Sequence, residues 1–599
     1  MLTIRHDALS SDDRAPQGAV PAGAHVNLRV RVESDDAHVD AVRCFYLYGL
    51  NDFNEGHVLM TREAAGYTAT LTMPEAGLFY YWFEVRLADG RYRWGFPDDR
   101  DFAETLPTSR TFAIDGRAPI PAFQITVTTS DFTTPDWMKG AVLYQIFPDR
   151  FARGSAFDEA RALRWIEARP ERIWHHRWED EVDRRGKPPK GYEACDFFGG
   201  TLSGIREHLD RLRSFGVSVL YLNPIFEARS NHRYDAGDYL RVDPLLGTTD
   251  DLRALCDAAH ARGMKVILDI ALSHTGADSR YFNRYGRYDT VGAWQAYTDG
   301  VPSPFAAWYT FDEDPERQHG TPYRCWWGFP ELPNVNELDA SYQAFIFGDD
   351  GVLAHWLRLG CDGFRLDVSD ELPDPFLRRL RACVKRHKPD AFILGEVWED
   401  PTSKISYGAH RDFLFGRTHD AVMGYTFREA VIDFLNDDIS GTALARRFRK
   451  MVSVTPAEAL YTQMNLLGSH DTVRIATALR DPRRVVAAAR LQLAFPGATA
   501  LYYGDELGME GGDDPYNRRT YRWDAEPNAR VIDCLRLKCA HPVLQTGYFD
   551  ILDASDATIT MRRFAVDGRD AFGRPIDDRP SVTLHIDRAG DGEITWDDA

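Results

Sequence analysis

Arg365 and Asp367 stand two residues apart in "GFRLDVSDE", residues 363 to 371, interleaved with the apolar Phe364, Leu366 and Val368. Strand periodicity turns the cation and the anion to one face and the three apolar residues to the other. Other short apolar runs also end in polar groups. "LDIALSH" carries Asp269 and His274, "GEVWED" carries Glu396 and Trp398, and "GSHDTVR" carries His470, Asp471 and Arg474. Any one of these could be a structural ion pair, a loop anchor or a helix cap. Several carboxylates brought together are another matter, because like charges resist joint ionisation and desolvation opposes each.

Two carboxylates flanking one bond are the apparatus of glycoside hydrolysis, one as nucleophile and one as acid/base. The nucleophile must stay ionised, and a neighbouring guanidinium lowers its pKa and fixes its orientation. Arg365 beside Asp367 meets that need. The acid must begin protonated, so it belongs in a less cation-rich setting, and Glu396 sits among Gly, Val and Trp.

Elements must position these groups. From about Lys139 short apolar runs alternate with helical stretches, the pattern of a parallel sheet. Eight such runs are found: "AVLYQIF", "VSVLYLNPIF", "MKVILDIALSH", "GFRLDVS", "AFILGEVW", "AVMGY", "YTQMNLLGS" and "ATALYYG". That is the number needed to close a (β/α)8 TIM barrel, whose active groups gather at the C-terminal strand ends. "TLSGIREHLDRLRSFG" and "TDDLRALCDAAHARG" read as helices that stop at Gly. Residues 275–344 form a Tyr- and Trp-rich insert after strand three, too long for a bare loop, so a subdomain over the active face is expected. The α/β barrel therefore spans 139–545. Residues 1–125, with short alternating runs and turns, predict an N-terminal β-sandwich, followed by a linker to about 138. Residues 546–599 predict a short C-terminal β domain, with "VDGRDAFGRPIDDRPS" as a surface loop.

The motifs resemble those of the α-amylase superfamily, family 13 of the glycoside hydrolases, in order over about Val142 to Met509. "LDIALSH", "GFRLDVSDE", "GEVWED" and "NLLGSHD" resemble four shared regions, and "LPNVN", residues 332–336, resembles a short fifth in the insert. The resemblance implies Asp367 as nucleophile, Glu396 as general acid/base and Asp471 as the carboxylate that grips sugar hydroxyls and favours the distorted transition state. It implies Arg365 as the positioning arginine and His274 and His470 as sugar ligands. Tyr234, in "SNHRYDAGDY", corresponds to a stacking platform, and Trp398 would shape the acceptor side or pack its loop. Asp269 would support the site from behind. "YQIFPDRF", "GEVWEDPTSKISYG" and "LYYGDELGMEGGDDPYNRR" are similar to the neopullulanase, cyclomaltodextrinase, maltogenic amylase and amylopullulanase group. That implies hydrolysis of α-1,4 links in cyclodextrins, pullulan or maltooligosaccharides, with α-1,6 cleavage and transglycosylation as further activities.

Two departures stand out. The first region usually ends in Asn-His, whereas this chain has Ser273-His274, and a hydroxyl replaces only part of an amide's bonding. Relatives often carry calcium ligands after "DRF" and after "FFGG". Here Arg153, Ser155 and Thr201 stand at those places, and calcium wants six to eight hard oxygens, so no metal or other cofactor is expected.

Competing functions use the same residues. A glucanotransferase or trehalulose-type isomerase would keep the carboxylates and exclude water, whereas a non-catalytic carbohydrate-binding protein would have lost them. The N-terminal sandwich could bind glucan, pair with a second copy in a homodimer and narrow the cleft, or simply support the barrel. The charge balance, 71 basic against 91 acidic residues for a net −20, disfavours nucleic acid as a partner. No eighteen-residue apolar run points to a membrane, and the opening "MLTIRHDALSSDDRAPQ" lacks the basic-then-apolar pattern of a secretory signal, so a cytoplasmic location is expected. The eight scattered cysteines form no CxxC pair and are expected as thiols.

Overall fold

The computed structural model describes residues 2–34, 38–98, 101–108, 122–155, 157–184, 194–311, 320–577, 579–590 and 592–597. Its centre is a parallel sheet of β1 (Val142–Ile146), β2 (Val219–Leu222), β3 (Lys265–Ala271), β4 (Gly363–Asp367), β5 (Phe392–Gly395), β6 (Ala421–Val422), β7 (Met464–Leu466) and β8 (Ala498–Tyr502). The strand order is β6-β5-β4-β3-β2-β1-β8-β7. A bridge from Met423 to Met464, with Gly424 N–H donating to Met464 O at 2.8 Å, closes the ring between β6 and β7. The expected (β/α)8 barrel is thus formed, although the sixth strand is only two residues long.

Period two decides which residues fill it. Leu143, Val219, Tyr221, Ile267, Leu394 and Leu466 form a buried cluster inside the ring, while Leu220, Leu222, Leu268, Phe364 and Leu366 join the larger core beneath the helices. Arg365 and Asp367 therefore share the inner face. Val368 does not continue the apolar face as its sequence position suggests. The strand ends at Asp367, and Val368 turns with φ 45° to stand at the wall of the cleft.

Local signals set the helix limits. The helix Thr249–His260 opens on a reciprocal capping box between Thr248 and Asp251 and is followed by Gly263 at φ 69°, a conformation that favours glycine. The single helix expected over 201–216 is two, Leu202–Glu207 and Leu209–Ser214. They meet at His208, whose ring stacks on Trp523 at 3.8 Å.

The insert after β3 adds Tyr281, Phe282, Trp308, Tyr309 and Tyr323 to the core that the barrel shares with its helices. Bridges from His274 to Asn334 and from Tyr309 to Val335 bring residues 326–332 back over the barrel mouth. Residues 312–319 of this insert lie outside the described residues. The helix Ala340–Phe347 already belongs to the barrel's outer layer and starts where the Asp339 side chain caps it.

Two N-terminal sheets, carrying His25–Ser34 and Gly66–Thr72 on one side and Val39–Gly49 and Gly77–Leu87 on the other, enclose Val26, Leu28, Val30, Phe79, Tyr81 and Phe83. The outer face of the second sheet packs Leu47, Tyr80, Trp82 and Phe96 against Phe415 of the barrel. Strand Phe123–Thr128, which straddles the expected boundary between sandwich and linker, pairs with Gly77–Leu87, and residues 109–121 of the expected sandwich lie outside the described residues. Four antiparallel strands, Tyr548–Ala554, Thr558–Phe564, Ser581–Asp587 and Gly592–Asp597, make the C-terminal sheet. The segment 566–581 is not merely a surface loop. Phe572 packs 5.1 Å from Tyr461 with Lys139 Nζ 4.1 Å over its ring, and Ile576 is buried. All eight cysteines are free thiols. Among the described residues no helix is long and apolar enough to cross a membrane.

Candidate active site

Arg365 is the hub. Its side chain is fully buried, with Nη1 2.8 Å from Asp269 Oδ1 and 2.7 Å from Asp367 Oδ1. Nη2 lies 2.8 Å from Glu396 Oε2 and 3.9 Å from Asp471 Oδ2. One guanidinium therefore faces four carboxylates delivered by four different strands, β3, β4, β5 and β7 or the turns that follow them. The contrast drawn from sequence, a less cation-rich setting at Glu396 than at Asp367, is not met, because the same guanidinium serves both. The alternation that hides Arg365 inside the ring also aims its fork at the next strand.

The difference between the two carboxylates lies in their remaining partners. Glu396 Oε2 accepts the Val368 N–H at 2.8 Å, and Oε1 accepts Trp398 Nε1 at 3.1 Å. Burial raises the Glu396 pKa against the pull of Arg365. Burial likewise pushes Asp367 well above the usual carboxylate range, aided by the charges of Glu396, Asp269 and Asp471 and opposed by Arg365. At both carboxyls burial outweighs the pull of Arg365, so the expectation that the guanidinium holds the Asp367 pKa down is not met. Asp471 goes the other way. Burial opposes its charge, but His470, Arg518 and Arg365 overcome that and hold it below the usual range.

The supporting shell is dense. Asp269 Oδ2 accepts from Tyr221 and Tyr234 hydroxyls at 2.6 Å each. His470 Nε2 is 2.9 Å from Asp471 Oδ2 and within hydrogen-bond reach of the Tyr234 hydroxyl, while Nδ1 is 2.8 Å from Gln145 Nε2. Tyr234 thus has its hydroxyl anchored behind the site while its ring stands in the cleft wall. His274 also lines the cleft. Burial lowers its pKa to about 4, so it is neutral near pH 7. Ser273, which stands in place of asparagine, has its Oγ 3.0 Å from His274 Nδ1, and its carbonyl accepts Val335 N–H at 3.0 Å.

These groups sit at the base of a cleft of about 960 Å³. It gathers Tyr234, His274, Asp367, Glu396, Trp398 and Asp471 in its wall, whereas Arg365 and His470 lie just behind. Trp398 is 45% exposed yet stacked on Tyr425 at 3.8 Å, so packing and exposure to a ligand coexist. Residues that sequence reasoning missed also line it. Trp326, Trp327 and Phe329 come from the insert, Trp327 being 76% exposed with its Nε1 2.6 Å from Glu371 Oε1. His232 and Arg518 also line the wall. The run "WWGF" in a loop over the barrel mouth was the available signal. Such a cleft, with aromatic walls and a few convergent polar groups, suits flat sugar rings. Among the described residues no group of three or more His, Cys, Asp or Glu side chains is arranged to hold a metal ion.

Comparison with known proteins agrees with this geometry. The α-amylase catalytic domain pattern matches residues 145–534. An amylopullulanase of Thermoanaerobacterium saccharolyticum is 34% identical over 99% of this chain and 49% of its own length. A cyclomaltodextrinase of a Bacillus species is 32% identical over 95% of this chain and 93% of its own. A solved cyclomaltodextrinase structure superposes with a TM-score of 0.64 at 28% identity, covering 98% of this chain and 90% of that one. The chain spans only about half, or less, of the amylopullulanases it matches, at 49%, 34% and 42% of their lengths. With the catalytic-domain pattern covering most of the barrel and a relative aligned almost end to end, the chain belongs to the α-amylase family.

Proposed function

We propose that the chain hydrolyses α-1,4-glucosidic bonds in maltooligosaccharides, cyclodextrins or pullulan, with α-1,6 bonds as further targets, and that it does so with retention of anomeric configuration. The observation that carries this reading is the shared fork of Arg365, 2.7 Å from Asp367 and 2.8 Å from Glu396. Retaining glycosidases hold their carboxyl pair about 5–5.5 Å apart, whereas inverting ones need about 6.5–9.5 Å to admit a water. Two carboxylates on one guanidinium favour the closer arrangement. Relatives named for amylopullulanase, cyclomaltodextrinase and neopullulanase activities support the substrate class.

In this mechanism a glucosyl unit rests on the Tyr234 ring, with His274 and ionised Asp471 binding its hydroxyls. Glu396 gives its proton to the glycosidic oxygen as Asp367 attacks the anomeric carbon, and the leaving sugar departs as an alcohol. Glu396, now a carboxylate, takes a proton from water as that water opens the Asp367 ester, which restores both groups. Asp471, held ionised, strengthens its bonds as positive charge develops on the ring. Arg365 keeps Asp367 oriented throughout.

A second reading, transfer of the glucosyl unit to a sugar instead of water, draws support from Trp398. Its exposed ring lies beside the proton donor and could seat an acceptor. Incubation with pullulan, cyclodextrin and maltotriose separates the cases. Early α-anomeric products support retention, and early β-anomers contradict it. Panose from pullulan marks α-1,4 cleavage, maltotriose marks α-1,6 cleavage, and products longer than a maltotriose substrate mark transfer.

A further inference from the structure

Arg153 follows the short helix Pro148–Phe151 at the end of β1 and lies in a cage of oxygens and rings. Its Nε donates to Phe198 O at 2.8 Å, Nη1 to His176 O at 3.1 Å and Nη2 to His175 O at 2.9 Å. The Phe157, Trp174 and Trp178 rings stand 5.2, 5.4 and 5.7 Å from its guanidinium carbon. Three convergent carbonyls and three aromatic faces are the surroundings of a bound cation, and here the cation is a side chain.

The other residues at this place are already engaged. Thr201 Oγ1 accepts N–H groups from Gly154 at 3.1 Å and Gly204 at 3.0 Å, so it serves as a helix cap. Ser155 Oγ donates to Glu207 Oε1 at 2.8 Å. Asp149 accepts the N–H groups of Phe198 and Gly199 at 3.1 Å each, and Arg150 Nε at 2.8 Å. Calcium needs six to eight free hard oxygens, and it would have to enter against a guanidinium that already holds the carbonyls. The residues present do not fit that ion.

We propose that the Arg153 guanidinium does the structural work that calcium does in relatives whose loop is rich in oxygen ligands. It is a cation that chelators cannot remove. It ties the strap at residues 174–178 to the chain after β1, and that strap continues toward the active site. Trp178 Nε1 donates to Tyr521 O at 2.9 Å and Thr520 Oγ1 donates to Trp178 O at 2.7 Å, next to Arg518, whose Nη2 is 3.4 Å from Asp471 Oδ1. Arg153 is in this sense a structural clamp two contacts away from the cleft. This inference does not depend on the substrate or on the catalytic roles proposed above.

The test uses the full chain and reads metal content and melting temperature. After dialysis against EDTA and then against calcium, plasma mass spectrometry is expected to find no stoichiometric calcium, and the melting temperature is expected to be the same in both buffers. Arg153→Ala removes the shared donor to three carbonyls, two of them part-buried, and is expected to melt several degrees lower, whether or not calcium is present. Arg153→Lys, which keeps the charge but offers one nitrogen to the cage, should fall between. One bound calcium per chain, or a melting temperature that falls in EDTA and recovers with calcium, overturns the proposal. So does an Arg153→Ala chain as stable as its parent. If Arg153→Ala does not accumulate folded, Arg153→Lys decides, since an unchanged melting temperature in that variant also overturns it.

Discussion

Arg365→Lys keeps a positive charge in the barrel mouth and changes only its shape. The guanidinium reaches Asp269 and Asp367 with one nitrogen, at 2.8 and 2.7 Å, and Glu396 with the other, at 2.8 Å. A lysine ammonium is one compact point, so it can hold one side of that fork but cannot span both. One to two charge-assisted contacts are lost, each contributing about 1.5–3 kcal/mol, so kcat/KM should fall by about 10¹ to 10⁴. The pH profile should move as well. Burial raises the Asp367 pKa and Arg365 pulls it down, so a weaker pull lets it rise further. The acid limb of kcat/KM, which follows ionisation of the nucleophile in the free enzyme, should therefore shift to higher pH. Steady-state kinetics on a maltooligosaccharide across the pH range measures both. A variant that keeps most of its kcat/KM with an unmoved acid limb would refute the hub role given to Arg365.

Glu396→Gln should lower turnover of natural glucans by about 10² to 10⁴ while sparing a glucosyl fluoride, whose leaving group needs no proton. Equal losses on both substrates would count against Glu396 as the acid. Lys538 is fully buried with no hydrogen-bond partner for its Nζ among the described residues, and burial, then Arg563, drives its pKa well down. The folded state therefore disfavours the charged form that the unfolded chain adopts below about pH 10.4, and stability is lost as pH falls below that value. Lys538→Met should stabilise the chain by about 1–3 kcal/mol near pH 7 and by less near pH 10, as read by denaturant unfolding. A variant no more stable than its parent at pH 7 would show that Lys538 has an unrecognised partner.

Much of the site's placement was legible because it follows from alternation. With Phe364 and Leu366 on the helix side, Arg365 and Asp367 had to face the ring interior, and the same reasoning carries Glu396 and Asp471 to the strand ends. What was not legible depends on geometry beyond period two. Val368 leaves the pattern because its backbone turns to φ 45° and sends its N–H to Glu396, which residue type does not announce. The reach of Arg365 to a second carboxylate depends on the spacing of adjacent strands and not on neighbours in sequence. The Glu396 setting was accordingly misjudged. Trp327 and Phe329 belong to a long insert, where composition hints at binding but only bridges such as His274 to Asn334 tell which part overhangs the cleft. Segment 566–581 looked solvated from its charges, yet Phe572 and Ile576 anchor it.

The central claim is that Asp367 becomes covalently glycosylated while Glu396 manages the proton. A 5-fluoro-α-glucosyl or maltosyl fluoride, which slows breakdown of the intermediate, followed by peptide mass spectrometry, tests it directly. The account predicts one sugar adduct per chain on the Asp367 side chain, formed slowly or not at all in Arg365→Lys and absent in Asp367→Ala. An adduct on Glu396 or Asp471, or turnover to a β-anomeric product with no adduct, would contradict it.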